Sequence, residues 1–410
     1  MNYTALANQP RLLLEATLKP LQGERFQSTG FADLGPARYS LPNGTEKLLV
    51  ESAQSVANRL EMAIWDEEND DLIAGLKGLP YILVKKDGKN FTNSILEAHR
   101  INSPYILKGK DKTVFDRLKK DAAGLQSGPV KLRDLAALVF KYDANAIIHG
   151  VFLADGDLAG GRLRLARALS GFIEATDVKT AESGGVKNDR VNPGKGDEGQ
   201  TSKEGFGNVP FHRTEFVARE IKAFFNLDLA LLRGYGLGPD ATHLLIALSL
   251  LKIRRFLHAG LRLRSACDLE VDGELTVKRP TEFVVPSEAE LLAECTRLIG
   301  VCCTEVNMTN VNWVPDKKLK KVTVELPAEV TAFEVPAAFK TDKMVEFKKA
   351  TKNKPATLVI KPDALEGTDV VTLAAQLFPD NEDLKDRVIA AFNDETDEGD
   401  DEDGAAADQP

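Results

Sequence analysis

The stretch Pro20–Glu61, PLQGERFQSTGFADLGPARYSLPNGTEKLLVESAQSVANRLE, sets a polar, glycine-bearing loop directly against a well-formed helix start. In its second half Ala53, Val56, Ala57, Leu60 and the following Ile64 recur at helical spacing, while Gln54, Ser55, Asn58, Arg59 and Glu61 fall elsewhere on the wheel. Ser52 is placed as the N-cap. A helix start leaves backbone N–H groups unpaired, and short hydroxyl and amide side chains beside them suit a phosphate. Taken alone, the segment favours the plainer reading, in which Ser52 caps the helix and Gln54 and Ser55 face water.

The first half offers Gln22, Gly23, Arg25, Phe26, Gln27, Ser28, Thr29 and Gly30, a mixture of one cation, one aromatic and several hydrogen-bonding groups. Single-stranded RNA is held by such mixtures, with cations and amides on phosphates and an aromatic on a base face. A tight polar loop of no function has the same composition. Toward the N-terminus, Arg11–Leu18 alternates, with Leu12, Leu14, Ala16 and Leu18 on one side, and reads as a strand with one buried face. Strand, loop and helix in that order open a ferredoxin-like β-α-β unit.

Five ordered blocks carry a family resemblance: Gln22–Tyr39, Val50–Glu61, Thr92–Leu107 (TNSILEAHRINSPYIL), Gly184–Val191 (GGVKNDRV) and Gly260–Leu269 (GLRLRSACDL). Together they resemble the Csb-one (GSU-type) family of CRISPR-associated proteins, the Cas-seven-type backbone subunit of type I-G (formerly I-U) Cascade. The resemblance implies an α+β fold with an RRM-like (ferredoxin-like) palm, a thumb hairpin and helical insertions. It implies a noncatalytic subunit that polymerises along the spacer of a CRISPR guide RNA and presents it to a target DNA strand. Its partners would be further copies of itself, the large subunit and the subunit that processes and caps the guide.

Bulk properties fit a large soluble protein. With 410 residues, 43% hydrophobic, the chain can bury a sizeable core. No apolar run approaches the roughly twenty residues that span a bilayer, and the N-terminus lacks a secretory core, so a cytoplasmic location without membrane contact is expected. The four cysteines make no CxxC pair, and no metal or cofactor is expected. The net charge of −9 owes much to Asp394–Asp403, whose eight acidic residues, once set aside, leave the remainder at −1. A neutral body binds nucleic acid where its cations cluster.

Further along, Tyr81–Lys85 reads as a strand closed by the turn Asp87-Gly88. Asn93, Ser94, His99, Arg100, Asn102, Ser103 and Tyr105 then form the densest polar and aromatic cluster. A catalytic His99 lacks a partner at recognisable spacing, which leaves a structural or RNA-contacting role. Asp111–Ala122 and Val130–Tyr142 look helical, Ala146–Leu153 looks like a strand, and Gly161–Val178 looks extended. Arg162, Arg164 and Arg167 either line a backbone groove or form a solvated face. Thr180–His212 is too polar to bury much, and the resemblance makes it the thumb, with Lys187, Asn188, Arg190 and Val191 near its working end.

Thr214–Asp228 reads as a strand. Gly234, Gly236 and Gly238 precede Pro239, which points to a tight turn into a proline-started helix rather than a dinucleotide loop. Arg262 and Arg264 oppose Leu261 and Leu263 on a strand, as groove cations or as a subunit interface. Ser287 and Glu290 spell a capping box. The lysines at 317–321 and 340–354 have no specific role assigned.

The expected organisation is a palm over 1–286 with inserted fingers (about 66–145) and thumb (about 178–213), a C-terminal extension over 287–393 packed on the palm, and an acidic tail over 394–410. The candidate RNA contacts are Gln22, Arg25, Phe26, Gln27, Thr29, Ser52, Gln54, Ser55, Asn58, Arg59, Asn93, Ser94, His99, Arg100, Asn102, Arg162, Arg164, Lys187, Asn188, Arg190, Arg262 and Arg264. A rival expectation, an RNA-cleaving backbone subunit, rests on Asp33 in the glycine-flanked loop GFADLG.

Overall fold

The computed structural model describes the chain except for residues 32–34, 192–206, 304–308, 315–321, 341–343, 352–353, 362–363, 365–369, 380 and 398–410, and the side chains of 31 and 392–397. Asp33, the lysines at 317–321 and most of the acidic tail therefore lie outside the described residues. The chain divides into two compact units, Met1–Pro315 and Asp316–Pro410.

The first unit is built on an antiparallel sheet. Its elements, in chain order, are β1 (Arg11–Pro20), β2 (Glu46–Glu51), α1 (Ala53–Met62), β3 (Ile82–Lys86), β4 (Lys89–Asn93), α2 (Leu132–Tyr142), α3 (Ala144–His149), β5 (Leu169–Thr176), β6 (Lys179–Lys187), β7 (Val209–Val217), β8 (Glu220–Asp228), α4 (Pro239–His258), β9 (Cys267–Val271), α5 (Glu288–Cys302) and β10 (Thr309–Asn312), with shorter pieces between. The main sheet runs Arg262–Arg264, β9, β1, β8, β5, β2, Arg38–Ser40, and Thr276–Arg279 pairs with β1 farther along. Taking the strands that alternate with α1 and α4, the chain order β1, α1, β5, β8, α4, β9 gives the spatial order fourth, first, third, second.

Alternation decides which face is buried. Leu12, Leu14, Ala16 and Leu18 of β1, Ile221, Ala223, Phe225 and Leu227 of β8, and Leu169, Ile173 and Ala175 of β5 lie in one core with Val56 and Leu60 of α1 and Leu244, Leu248 and Leu251 of α4. Truncating any of the leucines to alanine costs about 2–5 kcal/mol. On the opposite face Phe172 and Phe224 stack with centroids 5.0 Å apart.

Four readings of the sequence need correction. Ala146–Leu153 is not one strand: Asp143 caps the buried helix α3 by accepting from the Ala146 N–H, and only Val151–Leu153 is extended. An apolar run with no polar face carries no periodicity that separates a buried helix from a buried strand. GLRLRSACDL is a tight hairpin, not one strand, because Ala266 takes a left-handed conformation between Arg262–Arg264 and β9. The first unit runs past Pro286, since α5, capped by the Ser287–Glu290 box, packs on α4 through Leu291, Cys295 and Leu298.

The expected strand at Thr214–Asp228 is two strands, β7 and β8, and the β6–β7 hairpin rises between the middle strands β5 and β8. β6 and β7 pair in register from Lys179↔Val217 to Lys187↔Val209. The turn before α4 follows the expectation, with Gly236 and Gly238 at positive φ and Pro239 in the first turn. The second unit has its own core, with the antiparallel strands Val322–Glu325, Thr357–Ile360 and Val345–Lys348 packed with the helices Val370–Leu377 and Glu382–Asp397.

Candidate nucleic-acid interface

The loop after β1 is fastened to the foot of the β6–β7 hairpin. Phe26 and Phe216 exchange both backbone hydrogen bonds at 2.9 Å, and the Gln27 N–H donates to the Ala266 carbonyl at 2.8 Å. Both phenylalanine rings are buried, so Phe26 is an anchor of the loop and not a face on which a base could stack. The exposed Arg25 reaches the buried Glu215 at 3.2 Å, a carboxylate that also accepts from Ser183 at 2.9 Å. Gln27, Ser28, Thr29 and Gly30 then line a polar cleft of about 420 Å³ against Thr214 and Phe216. Gly30 is required there, because a Cβ would sit 2.6 Å from the Gly35 carbonyl oxygen. Gln22 lies in the open on the other flank of the loop.

The start of α1 is satisfied from within. Ser52 accepts from the Ser55 N–H at 3.2 Å, and the plainer reading of that cap holds. Glu51, 1% exposed, gathers the rest: the Ser55 hydroxyl and one Arg264 nitrogen donate to it, and Arg59 Nε donates at 3.1 Å. Arg59 also donates to the Leu263 and Arg262 carbonyls, and Arg264 to that of Gln27 at 3.1 Å. Burial draws both guanidinium pKa values down. Ser55, Arg59 and Arg264, expected to touch RNA, are thus spent on a buried carboxylate that ties α1 to the loop and to the Arg262–Val271 hairpin. Gln54 and Asn58 remain exposed on the outer face of α1.

The cluster of 93–102 dissolves in the same way. Asn93 Oδ1 accepts from the Ile95 and Leu96 N–H groups, and Ser94 Oγ from that of Ile82 at 3.1 Å. Asn102 accepts from Ala154 N–H at 3.0 Å. Arg100 forks onto both oxygens of Glu61 at 2.7 Å. Behind it Asn145 donates to Glu61 at 2.7 Å and accepts from Lys252, whose ammonium also lies 2.9 Å from His149 Nε2. Burial drives the Lys252 pKa down to about 7 and that of Asp143 up to about 7, and holds His149 well below its ordinary range. This network joins α1, α3 and α4 inside the core. Only His99 of the cluster stays exposed.

Arg162 spans four backbone carbonyls, of Ala159, Gly128, Leu125 and Gln126, and so locks a turn instead of lining a groove. Arg164 lies 5.2 Å from the Phe152 ring centroid and Arg167 donates to the Ala53 carbonyl at 3.2 Å. Lys187, Asn188 and Arg190 are exposed at the far end of the hairpin, about 30 Å along its strands from the loop by ordinary strand rise. Arg262 is 80% exposed beside Asp268.

Sequence reasoning missed Glu51, Glu61 and Lys252, although each stood as a charge inside an apolar run. It also missed Arg38, which donates to Thr180 at 3.3 Å and covers the Phe216 ring at 5.7 Å. Among the described residues no three of His, Cys, Asp or Glu come close enough to share a metal ion, and no helix is long and apolar enough to cross a membrane.

Residues 12–180 match the family model described as CRISPR-associated protein GSU0053 (Cas_GSU0053). Three of the five sequence blocks, Gln22–Tyr39, Val50–Glu61 and Thr92–Leu107, lie within that span, and the family resemblance agrees with the match. A search of curated proteins returned no match. Among solved structures, a chain of a CRISPR RNA-guided surveillance complex, pre-nicking, is similar with 12% identity and a TM-score of 0.35, over 64% of this chain and 74% of that one. Csc2 of Thermofilum pendens is similar with 9% identity and a TM-score of 0.27, over 72% and 74%.

Proposed function

We propose, from the match of residues 12–180 to a family model of CRISPR-associated proteins, that this chain is a noncatalytic, guide-RNA-binding, Cas-seven-type backbone subunit of a cytoplasmic Cascade of type I-G. In this reading the main sheet is a ferredoxin-like, RRM-like palm, supported by the spatial order fourth, first, third, second of its central strands. The β6–β7 hairpin is the thumb. Copies would stack head to tail along one guide, an open heterologous contact that produces a filament. Base pairing would supply sequence specificity while protein groups hold the RNA backbone.

One observation carries the reading: a long hairpin with exposed Lys187, Asn188 and Arg190 stands on a foot bonded to a polar loop and cleft. Phosphates would meet Gln27 and Thr29 at the foot, where Arg25 is held by the buried Glu215, and the cations at the far end, and the hairpin between would part the bases. The chain would hold and present the guide, and leave cleavage to other proteins. Co-expression with a CRISPR array and its partner subunits, followed by purification through this chain, tests it. A discrete guide-sized RNA in a multi-copy particle is the expected outcome. Monomeric, RNA-free protein recovered under those conditions would refute it.

A further inference from the structure

The segment Lys77–Asp121 holds eleven Lys or Arg and five Asp or Glu, an excess of +6 within a chain of net charge −9. Its surface includes the β3–β4 hairpin, and β10 lies parallel to β3 and leads into Trp313. Three aromatic rings meet there edge to face: Phe91 with Tyr105, centroids 5.5 Å apart at 77°, and Tyr105 with Trp313, 5.0 Å apart at 74°. Phe91 is 45% exposed, and the other two rings are half-buried. A cluster that served only to pack the sheet would be covered, as the other tryptophan, Trp65, is.

The rings are held in place before any ligand arrives. The Trp313 backbone N–H donates to the Lys85 carbonyl at 2.6 Å, and its indole lies so close to Gly109 that a Cβ there would come within 3.0 Å. Around them Lys85, Lys86, Lys89 and Lys110 have no ion pair among the described residues, whereas Lys77, Lys108 and Lys119 each face an aspartate. The Lys86 ammonium stands 5.5 Å from the Phe91 centroid. Unneutralised ammonium groups beside fixed, accessible rings call for a partner that is both polyanionic and rich in flat apolar surfaces.

We propose that the β3–β4 hairpin, with Tyr105 and Trp313, is a second contact for single-stranded nucleic acid, distinct from the loop and thumb. Lysines take the phosphates and the rings take one or two bases, which is the chemistry of sequence-tolerant single-strand binding. The inference does not depend on the guide-RNA reading, since the two surfaces share no residue.

Trp313 reports on the site. Titrating the full chain with a twenty-nucleotide oligo-dT or oligo-U should quench its emission, with an affinity that falls as salt rises; Trp65, being buried, supplies a constant background. The two oligonucleotides show whether DNA or RNA is preferred. Combining Phe91→Ala with Lys86→Glu and Lys89→Glu should weaken binding at least tenfold and remove the quenching. The lysine pair alone, at exposed positions, provides a variant with the core untouched. Charge reversal at Lys187 and Arg190 should leave the quenching intact, which separates this site from the proposed guide site. Unchanged Trp313 emission with both oligonucleotides, or equal affinity in the lysine variant, would overturn the proposal and leave the patch to a protein partner.

Discussion

Two sets of cations, both named from the sequence as RNA contacts, have opposite fates. Arg59, Arg100 and Arg264 close on the buried carboxylates Glu51 and Glu61, while Lys187, Arg190 and Arg262 stand in solvent at the hairpin end and the sheet edge. The difference lies in the partner. A carboxylate buried between elements needs cations around it, and those cations become part of the fold. An exposed cation loses little when left alone, since surface ion pairs contribute about 0–1 kcal/mol. A positive charge in a family-like block is therefore evidence of a nucleic-acid contact only when no buried carboxylate claims it.

The largest expected effect lies with the buried carboxylates. Glu51→Ala strands two partly buried guanidinium groups and should cost about 3–5 kcal/mol in urea unfolding, with RNA affinity changing only through unfolding. A mild stability loss accompanied by a direct affinity loss would move Glu51 and its arginines into the binding surface.

Lys252 sharpens the same pole through pH. Burial lowers its pKa from 10.5 to about 7, so between those values the unfolded chain binds a proton that the folded chain does not. Stability conferred by this position therefore rises with pH across that window, at up to about 1.4 kcal/mol per pH unit. Relative to Lys252→Met, the parent should gain roughly 3 kcal/mol between pH 7 and pH 9.5. The raised pKa of Asp143 acts in the opposite sense, but below about pH 7, outside this interval. A pH-independent difference between parent and variant would mean that Lys252 stays charged inside the core.

At the exposed pole, Lys187→Glu with Arg190→Glu should leave the unfolding midpoint in place. It should lower guide-RNA affinity about tenfold or more and reduce the salt slope by about one for each phosphate no longer neutralised. The smallest effect belongs to Arg262→Ala: its loose pairing with Asp268 predicts a stability change within about 0.5 kcal/mol. A loss above about 2 kcal/mol there would place Arg262 with the scaffold arginines.

Legibility followed from how local the determining physics is. The β1 alternation, the Ser52 cap, the Ser287–Glu290 box and the Gly236-Leu237-Gly238-Pro239 turn are each written within a few residues, and each is present. The hairpin strands at 179–187 and 209–217 overlap the segment expected to form a thumb. What sequence could not supply was partnership across long separations. Glu51 meets Arg264 more than two hundred residues away, and Asn145 meets Lys252 across one hundred and seven. Without those pairings, structural arginines and binding arginines look alike. The aromatic group was hidden for the same reason, because Trp313 joins Phe91 and Tyr105 only through the parallel pairing of β10 with β3.

The β6–β7 hairpin has a further consequence for how such a protein can change. Its foot is bolted to the sheet, and side chains along it alternate between two faces, so adding one residue to each strand would turn every group beyond the insertion to the wrong side. Adding two would restore the faces and extend the reach by about 6.6 Å. The span that this arm covers is thus adjustable only in notches, like a ratchet, and any redesign of its stride must move by whole steps.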